Sequence, residues 1–161
     1  MKTAIKLFSP AVLAVLIIMP VSQASAAVMA DSQLMVKTSV AEVIGVREIE
    51  SGKLEQGIRK SKAGLAKTST ASLRKPLLDN LCVAHLAIKD MQQAKQYCQA
   101  AIDTGKASAI SYNNRAVMHY VLGNIEASLD DLAEANKLGR FQELVERNLS
   151  IVNQHNLLSK N

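Results

Sequence analysis

Residues 112–120 read YNNRAVMHY, two asparagines, an arginine and a histidine set among apolar side chains. Taken alone, the stretch could belong to a polar reaction site. Two other segments change that reading. Residues 80–84 are NLCVA, residues 114–118 are NRAVM and residues 148–152 are NLSIV. Each runs Asn, then Leu or Arg, then a small residue, then a β-branched aliphatic, and the step is 34 residues both times. Other positions recur with the same step: His85 with His119, Asp90 with Asn124, Ala94 with Ser128, and Ala101 with Ala135. Self-similarity at a fixed period of this size is the signature of a repeat architecture.

Within each unit the spacing is helical. Leu78, Leu81, Cys82 and His85 lie on one helix face, and after a polar break at Lys89-Asp90 so do Ala94, Cys98 and Ala101. In the next unit Tyr112, Arg115, Ala116 and His119 form the first face. Gly123-Asn124 supply the turn, and Ser128, Leu132 and Ala135 form the second face. The pattern predicts a helix, a tight turn and a helix per unit, with Cys82 and Ala94, or Ala116 and Ser128, as small residues where the helices approach. A single such hairpin cannot bury its apolar face, so the units are expected to stack.

These features resemble the tetratricopeptide repeat family, whose motif runs large-x-x-Leu-small-x-x-large, then Ala-x-x-x-large, then Ala. Residues 75–108 and 109–142 carry the match, best at Tyr112-Asn113-Asn114-Arg115-Ala116, Gly123-Asn124 and Ala127-Ser128-Leu129. Residues 38–74 look like a degenerate first unit: Ala41, Ile44 and Gly45 open it, Gly52-Lys53 turn it, and Gly57 and Gly64 take its small sites. The step from this unit to the next is 37, which implies a three-residue insertion near 66–75. Residues 142–157 resemble a lone first helix that caps the array. His85 and His119 depart from the family's Tyr or Leu, and Arg115 from its Leu. The resemblance implies an all-α fold: helix-turn-helix units over residues 38–157, stacked as a right-handed superhelical solenoid with a C-terminal capping helix. Residues 27–37 precede that domain and 158–161 trail it.

The resemblance also implies that Asn80, Asn114 and Asn148 line the inner, concave wall formed by the first helices, where some superhelical members of the family read a peptide backbone. Helix axes roughly 8–10 Å apart would spread three asparagines over about six residues of extended peptide. An amide both donates and accepts, so it can bridge a backbone whatever its sequence. The alternative is that Asn at this site tunes helix packing or bonds a neighbouring helix. A second binding mode of the family clamps a terminal carboxylate with Asn plus a basic residue four positions earlier. Here those positions hold Pro76, Ile110 and Leu144, and Arg115 and Arg147 lie on other faces.

Cys82 and Cys98 are the only cysteines and sit on the two helices of one unit. Folding the hairpin about Lys89-Asp90 brings them opposite each other, which suits a disulfide in an oxidising compartment. The alternative is two buried thiols filling small sites. A metal set from Cys82, His85, Cys98 and His119 lacks any tight CxxC or HxxxH pair. A cysteine nucleophile would need an exposed, base-activated setting. No Gly-rich phosphate loop, cleft carboxylate pair or GxSxG is present, and Asp130-Asp131 read as a solvated face. The expectation is therefore a non-enzyme without metal or cofactor.

The first 26 residues have the layout of a secretory signal peptide: Lys2 and Lys6, an apolar run AVLAVLIIM at 11–19, Pro20, and the small-residue site Ala24-Ser25-Ala26. Nine apolar residues fall well short of the roughly 20 needed to span a bilayer. Cleavage after Ala26 would remove two lysines and no acids, taking the net charge from +5 to +3. The expected product is periplasmic or secreted, with no stable membrane insertion. The remaining chain has few aromatics, five in the whole sequence, so Leu, Ile, Val, Ala and Met must build its core. No sustained apolar–polar alternation and no Asn-Gly or Asp-Gly turn points to a hairpin.

Charge is uneven. Residues 59–75 hold six basic residues, Arg59, Lys60, Lys62, Lys67, Arg74 and Lys75, and no acids. The stretch could meet an anionic partner or surface, or it could be a solvated Ser/Thr-rich connector. Nucleic acid is not expected, since no aromatic residues accompany it. Taken together the sequence predicts an exported adaptor that binds a peptide or protein in its groove. A self-associating structural module is the second reading, and a thiol or metal enzyme the last.

Overall fold

The computed structural model describes residues 34–160, so the expected signal peptide lies outside the described residues. Among the described residues all regular structure is helical: α1 Val46–Glu50, α2 Leu54–Ala66, α3 Ala71–Ala87, α4 Met91–Asp103, α5 Ala109–Val121, α6 Ile125–Lys137 and α7 Gln142–Leu158. No helix among them is long and apolar enough to cross a membrane.

Each helix packs on the next in sequence, and α1, α3, α5 and α7 also touch one another in order. The intervening helices α2, α4 and α6 make no such contacts with each other. The odd-numbered helices therefore form one continuous wall. Small residues allow this packing: Ala94, Ala101, Ala116, Ala135 and Ser128 are fully buried, and Cys82 and Cys98 nearly so.

Three of the turns share one backbone conformation. Gly52, Lys89 and Gly123 follow α1, α3 and α5 in the left-handed conformation, with φ of 77°, 58° and 77°. Left-handed residues end helices by satisfying their last carbonyls, and glycine does so without strain. Lys89 is exposed and bears that strain alone in its column. Lys89→Gly is therefore expected to stabilise the protein by about 1 kcal/mol in denaturant unfolding, whereas Gly123→Lys should cost a similar amount. On the far side of its turn, Asp90 caps α4 by accepting from the Gln93 amide, and Ser108 and Ser111 form a reciprocal capping box at α5.

The 37-residue step has a specific cause. Helix α3 has 17 residues where α5 has 13, one added turn at its start, ahead of Pro76. The link before α3 (67–70) is one residue shorter than the link before α5 (104–108), so four residues gained and one lost give the three-residue insertion.

The first unit departs from expectation. Its opening helix shrinks to the five residues of α1, and residues 41–45, expected to begin it, form turns. Gly45 is the reason the chain turns there. It caps α1 with φ 95°, and a Cβ at this position would overlap Ser61 Oγ and come within 2.8 Å of the Gly57 carbonyl oxygen. Ahead of this turn the chain is extended rather than helical, and residues 34–39 lie against the odd-helix wall as a strap.

Candidate functional site

The wall is built by one position repeated on three helices. Asn80 on α3, Asn114 on α5 and Asn148 on α7 are each fully buried. A buried amide needs partners, and here the partner is the backbone of the strap. Asn148 Oδ1 accepts from the Met35 amide at 2.8 Å, and its Nδ2 donates to the Met35 carbonyl at 2.7 Å. Asn114 repeats the arrangement on Lys37, with 2.9 Å to the amide and 2.8 Å to the carbonyl. Asn80 Oδ1 accepts from both the amide and the hydroxyl of Ser39 at 2.9 Å. The strap thus runs against the order of the units, one extended residue pair per helix.

The asparagine column does contact an extended backbone, and that backbone belongs to the chain itself. The contact covers five residues, 35–39, rather than about six. Two extended residues advance only roughly 7 Å, less than the spacing of helix axes, so the amide tips converge on the strap. The side chains of Met35 and Lys37 point away from the wall, whereas the Ser39 hydroxyl turns back onto Asn80. Met35 and Lys37 are exposed, and the Lys37 ammonium lies 5.5 Å from the centre of the Phe141 ring. The alternate residues face inward. Leu34 is 2% exposed, in a cluster with Ala116, Val117, Val145 and Val152. Val36 packs against both that cluster and the one formed by Ile49, Ile58 and Leu81. Thr38 is buried and donates its hydroxyl to Glu50.

Asn113 is a member of the wall that the 34-residue register did not single out. Its Nδ2 donates to the Met35 carbonyl at 2.9 Å, and its Oδ1 accepts from Asn148 Nδ2 at 2.8 Å. The signal was the polar column one position before the asparagines, Asp79, Asn113 and Arg147. Asp79, also buried, binds Lys75 Nζ at 3.0 Å and Ser111 Oγ at 3.2 Å. It thereby ties α3 to the start of α5. Burial pushes its carboxyl above the usual range, and Lys75 opposes that shift.

Arg115 explains its own departure from the pattern. Leu81 and Tyr97 share an apolar cluster in one unit, and 34 residues later the same two positions hold Arg115 and Asp131. Arg115 Nε and Nη2 grip Asp131 at 2.8 and 2.6 Å, a bidentate pair replacing an apolar one. That hydrogen bonding raises the guanidinium further above its ordinary value. His85 is buried, stacks on Tyr97 at 5.2 Å and sits 3.3 Å from Asp90. His119 occupies the matching place 3.8 Å from Asp131. Burial lowers both imidazoles below the ordinary histidine value.

Cys82 and Cys98 are joined across α3 and α4, with Cα atoms 4.8 Å apart, and neither is a free thiol. Among the described residues no group of three or more His, Cys, Asp or Glu side chains is placed to hold a metal ion.

The basic stretch is divided between two helices and the link that joins them. It spans the second half of α2, the link at 67–70 and the start of α3. Lys60 pairs with Glu48, and Lys75 with Asp79. Arg74 donates to the Leu65 and Thr68 carbonyls at 3.2 and 2.9 Å, serving the end of α2. Lys62 lies over the Tyr97 ring at 5.6 Å. Arg59 and Lys67 are exposed.

No protein-family model, curated protein or solved structure matches the chain significantly, so the geometry alone carries the functional reading.

Proposed function

We propose that this chain is an exported tetratricopeptide-type repeat protein, a solenoid whose odd helices form the inner wall, acting as an adaptor that holds an extended segment of a partner along Asn80, Asn114 and Asn148. One observation carries the reading. Three amides at the same register on alternate helices engage every second residue of an extended backbone, through groups that every peptide possesses. Export is supported by the pattern of residues 1–26 and by the joined cysteines, which persist in oxidising compartments.

The strap also supports a second reading, in which the wall serves only to lock the N-terminal side of the chain onto the helices and no partner enters. The Asn80 side chain separates the two, since of the three it makes the fewest bonds to the strap carbonyls. Cross-linked capture from an extract of exported proteins, run with the parent and with Asn80→Ala at matched helicity by circular dichroism, is the test. The adaptor reading expects a partner held by the parent and reduced at least about tenfold in the variant, the equivalent of one lost bidentate amide. Equal capture by both proteins places the binding elsewhere and leaves the wall as a lock.

A further inference from the structure

The three rungs of the wall are not equally made. Asn148 and Asn114 both accept from and donate to the strap. Asn80 only accepts, and its Nδ2 is buried with no hydrogen-bond partner among the described residues. An unpaired buried amide group is costly. The strap cannot simply extend past this rung, because it must feed α1. Directly after Ser39 the chain turns, and the Val43 amide bonds the Val40 carbonyl. The wall therefore has a binding position that its own strap leaves half used.

We propose that residues 34–39 are a displaceable internal ligand. In their place the wall takes an extended segment of a partner protein with an aliphatic residue at the Leu34 and Val36 positions and a threonine or serine at the Thr38 position. This rests on the adaptor reading above and adds its selectivity and its gate. The selectivity follows from the two faces of the strap. Positions 35 and 37 are read through the backbone alone, so their side chains are unconstrained, whereas position 39 also sets a hydroxyl on Asn80. Positions 34, 36 and 38 fill the wall: a leucine in the apolar cluster, a valine between two clusters and a hydroxyl on Glu50. The gate follows from tethering. A strap joined to α1 by residues 40–45 competes at an effective concentration on the order of millimolar. A free segment gains by running straight through the Asn80 rung and completing it. Val40, Ala41 and Glu42 are exposed, so they can serve as the hinge about which the strap leaves the wall, uncovering the sites of Leu34 and Val36 for the incoming segment.

The test uses the mature chain with a protease recognition sequence inserted between Ala41 and Glu42, folded, then cut, with the strap removed by gel filtration. The probe is a fluorescein-labelled peptide of residues 33–40, QLMVKTSV, beside one with aspartate at the Leu34 and Val36 positions. The cut protein is expected to bind the first peptide, and the second at least about tenfold more weakly, since two carboxylates would have to enter apolar sites without a partner. Uncut protein should bind the first peptide at least about tenfold more weakly than cut protein. Equal binding of the two peptides would overturn the side-chain selectivity while leaving backbone reading intact. Equal binding by cut and uncut protein would overturn the gate. Binding of neither peptide by folded, cut protein would overturn this proposal and the adaptor reading together. A strap-dependent dimer in the uncut protein would replace the partner by a second copy of this chain. If cutting unfolds the protein, uncut Lys37→Pro takes its place, since proline removes the amide that Asn114 accepts. Unfolding of both would show the strap to be a fixed structural part and would overturn the proposal.

Discussion

Asn148→Ala is expected to lower the unfolding free energy by about 3 kcal/mol, a fall of roughly 10 °C in midpoint for a domain of this size. The side chain is fully buried and completes three bonds, to the amide and carbonyl of Met35 and to Asn113 Oδ1. Alanine leaves a donor and an acceptor without their partner, and Asn113 then carries the Met35 carbonyl alone. The contrast that isolates the cause is Met35→Ala. Its side chain is 41% exposed and its backbone keeps both bonds, so a cost under about 0.5 kcal/mol is expected. Denaturant unfolding of both variants, with hydrogen exchange at the Met35 amide, reads the difference directly. Exchange at Met35 should accelerate in Asn148→Ala and stay slow in Met35→Ala. If Asn148→Ala costs less than about 1 kcal/mol, the strap contributes little and the bonds are incidental to stability.

Reducing the Cys82–Cys98 bond is expected to cost about 3 kcal/mol. The two residues are 16 apart in sequence, and closing a loop of that length restricts the unfolded chain by roughly that amount in the chain-entropy model. The folded helices should survive, because both sulfurs occupy nearly closed sites beside Ala94 and Met118 and two thiols would still fill them. The double variant Cys82→Ala and Cys98→Ala loses the tether and some packing, so it should fall by about 3–4 kcal/mol and become indifferent to reductant. A thiol titration of the protein isolated without reductant comes first. Two reactive thiols after unfolding would sink the prediction. So would an unchanged unfolding midpoint after reduction.

Much of this arrangement was legible in the sequence, because its causes are local. A helix face repeats every three or four residues, so Leu78, Leu81, Cys82 and His85 announce α3 without any knowledge of what covers them. The cysteines could be paired on paper because a hairpin folded about Lys89-Asp90 fixes which residues meet. The first unit was read less well. Gly52 stands at a turn and Gly57 at a close approach, as their spacing suggests, but Gly45, expected to open the first helix, stands at a turn ahead of it. That Gly45 would end the helix on its N-terminal side, leaving α1 only five residues long, depends on its contact with Gly57 and Ser61 of α2. The basic stretch stays open between an anionic-partner surface and a solvated connector in the sequence for a related reason. Its lysines and arginines were counted as charge, whereas Lys60, Arg74 and Lys75 are engaged with particular acceptors that only the packed helices bring close.

The sequence by itself determined the helices beyond the first unit and the 34-residue step of Asn80, Asn114 and Asn148, and it set Cys82 opposite Cys98 while leaving open whether they join. Only the tertiary structure decided what the asparagine wall holds. The strap meets its amides across separations of 41, 77 and 113 residues, and it is recognised through N–H and C=O groups that every residue carries alike. A contact made by the backbone leaves almost no mark on the sequence. The only trace of it is the brief alternation of Leu34, Val36 and Thr38, too short to read as a strand until the chain had folded back on itself.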